Sequence, residues 1–256
     1  MRVVVLAGGL GTRLAEATGS VPKPMVEVGG RPILWHILKI YAAAGVRHSV
    51  IAAGYKNEII KRYFLEYTRM NSRHLRVETR TGELQHSAES PDDWTVDIVD
   101  TGEASNTGGR LGRLVDLLPD EHFCLTYGDG VADVDIAQLL AFHHRHGLMA
   151  TVTAVRPPAR FGGLVLNGHL VSDFTEKPQI GEGWINGGFM VLSRAVLERV
   201  TDDSCSLEAD VLDPLASEGQ MAAFQHDGYW QCMDTLRDVR LLNDLWQEDR
   251  APWKSW

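Results

Sequence analysis

Hydrophobic positions open the chain as an unbroken run, Val3-Val4-Val5-Leu6-Ala7, closed by Gly8 and Gly9. A run this short predicts a strand covered on both faces, since a half-exposed strand would alternate apolar with polar residues. After the Gly29-Gly30 turn and Pro32, Leu34, Ile37, Leu38 and Tyr41 recur every three or four residues until Gly45. That spacing predicts an amphipathic helix packed on the sheet, with His36 and Lys39 on its outward face. Ser49 to Ala53 reads as a second strand, and Ile59, Ile60, Tyr63, Phe64 and Tyr67 as the inner stripe of a second helix. The order of strand, loop, helix, strand, helix implies an α/β fold with a parallel sheet and right-handed crossovers.

From about residue 70 to 93 the periodicity fades and charge rises, an excursion from the core sheet that ends where alternation returns at Thr95 to Asp100. Leu111, Leu114, Val115 and Leu118 then form a helical stripe, and Phe123 to Tyr127 a buried strand. Ile136, Leu139, Leu140 and His143 share a helix face, Ala150 to Val155 is β-rich, and short alternating strands surround Leu164 to Leu166 and Leu170-Val171. Helices are expected near residues 207–216 and 236–246. The terminal tryptophans Trp253 and Trp256 should pack on the body or on a neighbouring subunit, because exposing them is costly.

At 256 residues and 44% hydrophobic content the chain can fill one large core, so a single domain over residues 1–256 is expected. A formal net charge of -9 repels nucleic acid and anionic membranes on average, so neither is expected as a partner. There is no run of 18 apolar residues, and the chain starts directly in a core strand, which points to a cytoplasmic location. Cys124, Cys205 and Cys232 show no C-x-x-C spacing and read as buried or idle thiols. His143, His144 and His146 crowd a helix end, where they are expected to be solvated rather than to ligate a metal.

The candidate chemistry begins at the first strand's end. Leu6, Ala7, Gly8, Gly9, Leu10, Gly11, Thr12 and Arg13 form a strand-to-loop turn whose bare backbone N–H groups can approach phosphate oxygens. Lys23, bracketed by Pro22 and Pro24 in extended backbone, adds a second cation. Together they suggest a polyphosphate ligand, although neither the G-x-G-x-x-G fingerprint nor the P-loop motif fits. Ser105, Thr107, Gly108, Gly109 and Arg110 either cap a helix or lie beneath a nucleobase or sugar. Gly128 and Asp129 end the Phe123 to Tyr127 strand, and Asp234 ends the apolar segment beginning at Tyr229. Two isolated acids so placed suit Mg2+ on a nucleoside triphosphate, which takes one or two protein carboxylates and leaves its other positions to water and phosphate. Glu176, Lys177, Asn186 and Gly187 offer a carboxylate, a cation and an amide suited to a hexose phosphate.

The segments L-A-G-G-L-G-T-R-L, P-K-P-M, T-G-G-R-L, Y-G-D-G-V-A-D, E-K-P, I-N-G-G-F and W-Q-x-M-D-T-L-R-D together resemble the sugar-1-phosphate nucleotidyltransferases over the whole chain. The middle and carboxyl-terminal segments are similar to the branch that transfers a cytidylyl group. The resemblance implies a Rossmann-like, mixed but mainly parallel sheet flanked by helices, with a small β-rich excursion. It also implies CTP and glucose 1-phosphate as substrates, Mg2+ as cofactor, CDP-glucose and pyrophosphate as products, and a homo-oligomer, a hexamer being one of the admissible forms. It carries Gly8 to Arg13 and Lys23 to the triphosphate, Thr107 to Gly109 to base or sugar, Asp129 and Asp234 to magnesium, and Glu176, Lys177 and Asn186 to the sugar phosphate. Residues 157–256 would then hold the sugar-binding and oligomerisation portion.

Val21, Ala104, Asn106 and Cys232 depart from the family pattern. Those at 104 and 106 bear on specificity if that loop reads the base or sugar. Another nucleoside triphosphate, another sugar 1-phosphate, or a catalytically silent sugar-nucleotide-binding homologue are the alternatives.

Overall fold

The computed structural model describes residues 1–14, 19–87, 92–157, 163–167, 170–175 and 183–256; side chains are described for all of these except Arg13 and residues 163–175. Among the described residues, eight strands form the central sheet: β1 (Arg2–Ala7), β2 (His48–Ala53), β3 (Thr95–Asp100), β4 (His122–Tyr127), β5 (Ala150–Val155), β6 (Ile185–Asn186), β7 (Met190–Ser193) and β8 (Met221–His226). The α-helices among the described residues are α1 (Ile33–Ala43), α2 (Asn57–Asn71), α3 (Thr107–Gly112), α4 (Ile136–His146), α5 (Asp213–Ser217) and α6 (Leu236–Gln247).

The apolar run at the N-terminus becomes β1, buried on both faces as its pattern requires. Val3, Val5 and Ala7 join one core layer with Leu34, Ile37, Leu38 and Tyr41 of α1, while Val4 and Leu6 join the opposite layer with Leu111, Leu114 and Leu207. β1 pairs in parallel with β2 on one side and β4 on the other, and β2 pairs in parallel with β3. β7 runs antiparallel to β4 and β5, and β5 runs parallel to β8, which makes the sheet mixed but mainly parallel. The chain proceeds from β1 outward through β2 and β3, then crosses to β4 on the other flank of β1. The carboxyl ends of β1 and β4 therefore open a crevice at the point where strand order reverses, the usual ligand position in an open α/β sheet.

Smaller ribbons sit outside this sheet. Leu75–Glu78 pairs with Glu83–His86 in a hairpin exposed on both faces. Gly163–Asn167 pairs with Leu170–Thr175. Gly130–Ala132 pairs with Trp230–Cys232, and this ribbon matters most for the site.

Three sequence expectations are corrected. His36 does not face outward: it is fully buried, its Nε2 lies 2.8 Å from the Val28 carbonyl and its Nδ1 accepts from the Trp253 indole at 3.3 Å. Trp35, Trp246, Trp253 and Trp256 surround it, so the tail packs on the body and supplies the cover that a helical wheel cannot show. Lys39 is half-buried, pairing with Asp92 at 2.7 Å and lying over the Trp35 and Trp256 rings. His143 is buried rather than solvated, because it meets the Thr151 hydroxyl at 2.8 Å and His122 at 3.0 Å, and His146 meets the same hydroxyl at 2.8 Å. Burial, with His122, His146 and His144 nearby, pulls the His143 pKa down to about 4.

Candidate active site

A cleft of about 400 Å3 opens at the β1/β4 crevice, lined by Leu6, Ala7, Gly8, Gly9, Gly11, Thr12, Lys23, Pro24, Ser105, Asn106, Thr107, Arg110, Tyr127, Gly128 and Asp129. The amide of Gly128 donates to the Leu6 carbonyl at 2.9 Å, which locks the two strand ends side by side. A Cβ on Gly128 would come within 3.0 Å of that carbonyl and of Pro24, so glycine lets the loop bearing Asp129 pass close to β1. Gly11 takes a φ of 62°, a left-handed turn that glycine adopts without cost.

Lys23 does not sit in extended backbone as expected but in a single 3-10 turn over Lys23–Met25, for which Pro22 supplies the extended cap, and it is aimed at both candidate acids. Its ammonium lies 2.5 Å from Asp129 Oδ2 and 2.6 Å from Asp234 Oδ1. The ribbon explains how two acids so distant in sequence meet. Cys232 pairs with Gly130, and the Met233 amide donates to the Asp129 carbonyl at 2.8 Å, so Asp129 and Asp234 flank one end of the ribbon. A capping box at the start of α6 then fixes Asp234: Asp238 accepts from the Asp234 and Thr235 amides at 3.0 and 2.8 Å. Burial alone would pull the Lys23 pKa down, but the charges and hydrogen bonds of Asp129 and Asp234 outweigh it and hold it above the ordinary lysine value. Cys232 donates toward Asp234 Oδ2 at 3.7 Å, and burial together with the charges of Asp234, Asp129 and Asp238 pushes its thiol up to about 12.

Arg110 lines the cleft, yet its guanidinium works beneath the loop. It donates to the carbonyls of Gly8 at 3.1 Å, Gly102 at 2.6 Å and Glu103 at 3.0 Å, and to Thr101 Oγ1 at 2.8 Å. One side chain thus ties the glycine loop to the end of β3 and the loop after it. Gly8 is bare because a Cβ there would lie 2.1 Å from Arg110 Nη1, and Gly54 because a Cβ would lie 2.4 Å from the same atom. Burial lowers the Arg110 pKa from the ordinary arginine value.

Gly108 and Gly109 were expected either to cap a helix or to lie beneath a base or sugar. Neither lines the cleft; a Cβ on Gly108 would lie 2.7 Å from Cys205 Sγ, and one on Gly109 2.4 Å from the Asp203 carbonyl. Their lack of side chains lets α3 pack against the segment before residue 207. Leu10 is half exposed and is not among the residues that line the cleft. Ser105 lines the cleft while its hydroxyl donates to the Thr101 carbonyl at 2.6 Å. Asn106, one of the departures from the family pattern, caps α3 by accepting from the Thr107 amide at 2.8 Å and also lines the cleft.

Sequence reasoning missed Glu208. It accepts from the Thr107 hydroxyl at 2.6 Å and from the Tyr127 hydroxyl at 2.7 Å, so one carboxylate fixes two side chains of the cleft wall. Burial would raise its pKa, but hydrogen bonds from Thr107, Tyr127 and Ser206 hold it below the ordinary glutamate value. Asn186 reaches the same network, donating to the Tyr127 hydroxyl at 3.4 Å. Gly187 follows it, where a Cβ would lie 2.6 Å from the Val155 side chain. Glu208 has no motif of its own in the sequence, and its role depends on partners from α3 and β4. Glu176, Lys177 and the side chain of Arg13 lie outside the described residues.

A glycine loop at the switch point of a mainly parallel sheet, facing a lysine held between two carboxylates, defines an α/β protein that handles phosphate groups. The Nucleotidyl transferase family model matches residues 2–248, and the chain belongs to that family. It is 47% identical, over the full length of both chains, to the glucose-1-phosphate cytidylyltransferase of Salmonella typhimurium, and 39% identical, again over full length, to the probable glucose-1-phosphate cytidylyltransferase of Bacillus subtilis. Among solved structures it is similar to HddC from Yersinia pseudotuberculosis, with a TM-score of 0.70 and 25% identity covering 96% of this chain and 99% of the other.

Proposed function

We propose that this nucleotidyltransferase moves a cytidylyl group from CTP to α-D-glucose 1-phosphate, giving CDP-glucose and pyrophosphate. The observation that carries the reading is the Lys23 ammonium at 2.5 and 2.6 Å from Asp129 and Asp234 on the wall of the glycine-loop cleft. Full-length similarity to two glucose-1-phosphate cytidylyltransferases supports the choice of substrates.

The family generally works with a divalent metal, and the donor set here fits Mg2+: two hard carboxylates converging on one cation. Among the described residues there is no group of three His, Cys, Asp or Glu side chains poised on a metal, so Asp129 and Asp234 would hold the ion while phosphate and water complete its shell. A bound Mg2+ supplies charge neutralisation on the phosphates. The chain's own residues do the rest. Backbone amides of Gly8 to Thr12 orient the triphosphate, and Arg13 and Lys23 gather the charge that departs as pyrophosphate.

The nucleophile is the sugar phosphate itself. Its second pKa is about 6, so it is mostly dianionic at neutral pH and needs no general base. An oxygen of that phosphate forms a bond to the α-phosphorus as the bond to the β-phosphate bridging oxygen breaks, in line. Lys177 offsets repulsion between the two anions, while Glu176, Asn186 and Gly187 hold the sugar. Tyr127 and Thr107, fixed by Glu208, line the cleft.

Pyrophosphate release should be measured with Mg2+ across CTP, UTP, dTTP, GTP and ATP, each against several sugar 1-phosphates. Release confined to CTP with glucose 1-phosphate is expected. Release with another pair would move the specificity to the residue 104 to 110 loop and the sugar-binding segments, and no release with any pair would overturn the reading.

A further inference from the structure

Lys23 stands where a metal-binding pair of carboxylates would otherwise repel each other, and this has a consequence for how metal enters. Its ammonium contacts one oxygen of each acid, at 2.5 Å for Asp129 and 2.6 Å for Asp234, so without a metal it offsets part of the pair's charge and draws the two together. The side chain is largely buried, and its backbone is confined by Pro22 and Pro24 in a 3-10 turn. It therefore cannot swing freely into solvent. A dication arriving alone would have to share the carboxylates with a positive charge in van der Waals contact, where repulsion is little screened. The same lysine also lines the glycine-loop cleft. An anion in that cleft is a second partner within reach of the ammonium.

We infer that Lys23 and the divalent cation compete for Asp129 and Asp234, and that a nucleoside triphosphate relieves the competition by drawing the ammonium onto its phosphates. Lys23 is thus a built-in counterion that keeps the acids closed to metal until nucleotide is present. The exchange conserves charge: the ammonium passes from carboxylate to phosphate, and the carboxylates pass from ammonium to dication. Because coupling between two ligands is reciprocal, metal must strengthen nucleotide binding by the same factor. The inference rests on the proposed role of Asp129 and Asp234 as metal ligands.

The test uses Mn2+ as the probe, with bound ion counted by electron paramagnetic resonance on the full chain without nucleotide. Lys23→Met should bind Mn2+ about tenfold or more tightly than the unaltered protein, within the usual range of coupling between sites. Lys23→Arg, which retains the charge, should bind as weakly as the unaltered protein. Adding Asp129→Asn or Asp234→Asn to Lys23→Met should abolish the gain. Should Lys23→Met fail to fold by circular dichroism, Lys23→Gln removes the charge while keeping a hydrogen-bond donor. Equal Mn2+ affinity in the neutral variant and the unaltered protein overturns the competition. In that case, Mn2+ bound to the CTP complex and lost on Asp129→Asn or Asp234→Asn would leave the metal site standing. Mn2+ that ignores both acids in every variant and in the CTP complex would overturn the metal reading and the inference together.

Discussion

His36 makes the stability of this protein depend on pH in a calculable way. Its Nε2 faces the Val28 carbonyl, which can only accept, so that nitrogen carries the hydrogen; its Nδ1 faces the Trp253 N–H, which can only donate, so that nitrogen is bare. A second proton would have to enter at Nδ1, against the indole donor and inside a buried aromatic cage. Burial, with Arg31 nearby, accordingly lowers the His36 pKa to about 4 from 6.5, although the bond to Val28 works in the other direction. As pH falls, the unfolded chain takes up the proton first. The neutral histidine's contribution is therefore intact above about 6.5 and lost progressively down to about 4. Between pH 7.5 and pH 5, linkage gives a loss of about 2 kcal/mol from this residue alone. Urea unfolding of the unaltered protein and of His36→Gln, at equal protein concentration and both pH values, isolates the term, since His143 and the carboxylates titrate in both. The variant should start less stable but lose about 2 kcal/mol less on acidification. Parallel losses in the two proteins would refute the buried neutral histidine.

Asp129→Asn and Asp234→Asn should each abolish pyrophosphate release while circular dichroism shows the fold retained; full activity in a folded variant would refute the site. Gly8→Ala puts a Cβ 2.1 Å from Arg110 Nη1 and should both cripple turnover and lower the Tm by about 5 °C, whereas Gly9→Ala meets nothing within 4 Å and should leave Tm unchanged. Glu208→Gln removes the charge that orders Tyr127 and Thr107 and should lower kcat/KM by about tenfold, an effect of about 1.4 kcal/mol read by steady-state kinetics, with Tyr127→Phe giving a loss of similar size.

Local pattern carried much of this protein. The apolar run of β1 could only be a strand with both faces covered, and the stripes of α1 and α2 could only be helices lying on it, because each side chain's direction follows from backbone period alone. The glycine loop, Lys23 and the two acids at the ends of apolar segments stand out for a related reason: bare backbone and isolated charges at strand ends are visible one residue at a time. Tertiary structure decided whatever depends on a partner far along the chain. His36 is buried because Trp253, 217 positions away, covers it. Arg110 is fixed by the carbonyls of Gly8, Gly102 and Glu103, the last two of which belong to a neighbouring loop that only the fold brings beneath the first. Gly108 and Gly109 are small because a segment near residue 205 presses on them, and Glu208 matters because α3 and β4 bring Thr107 and Tyr127 to it. A hydrogen bond or a close contact has no period in sequence, so only the folded chain could show these.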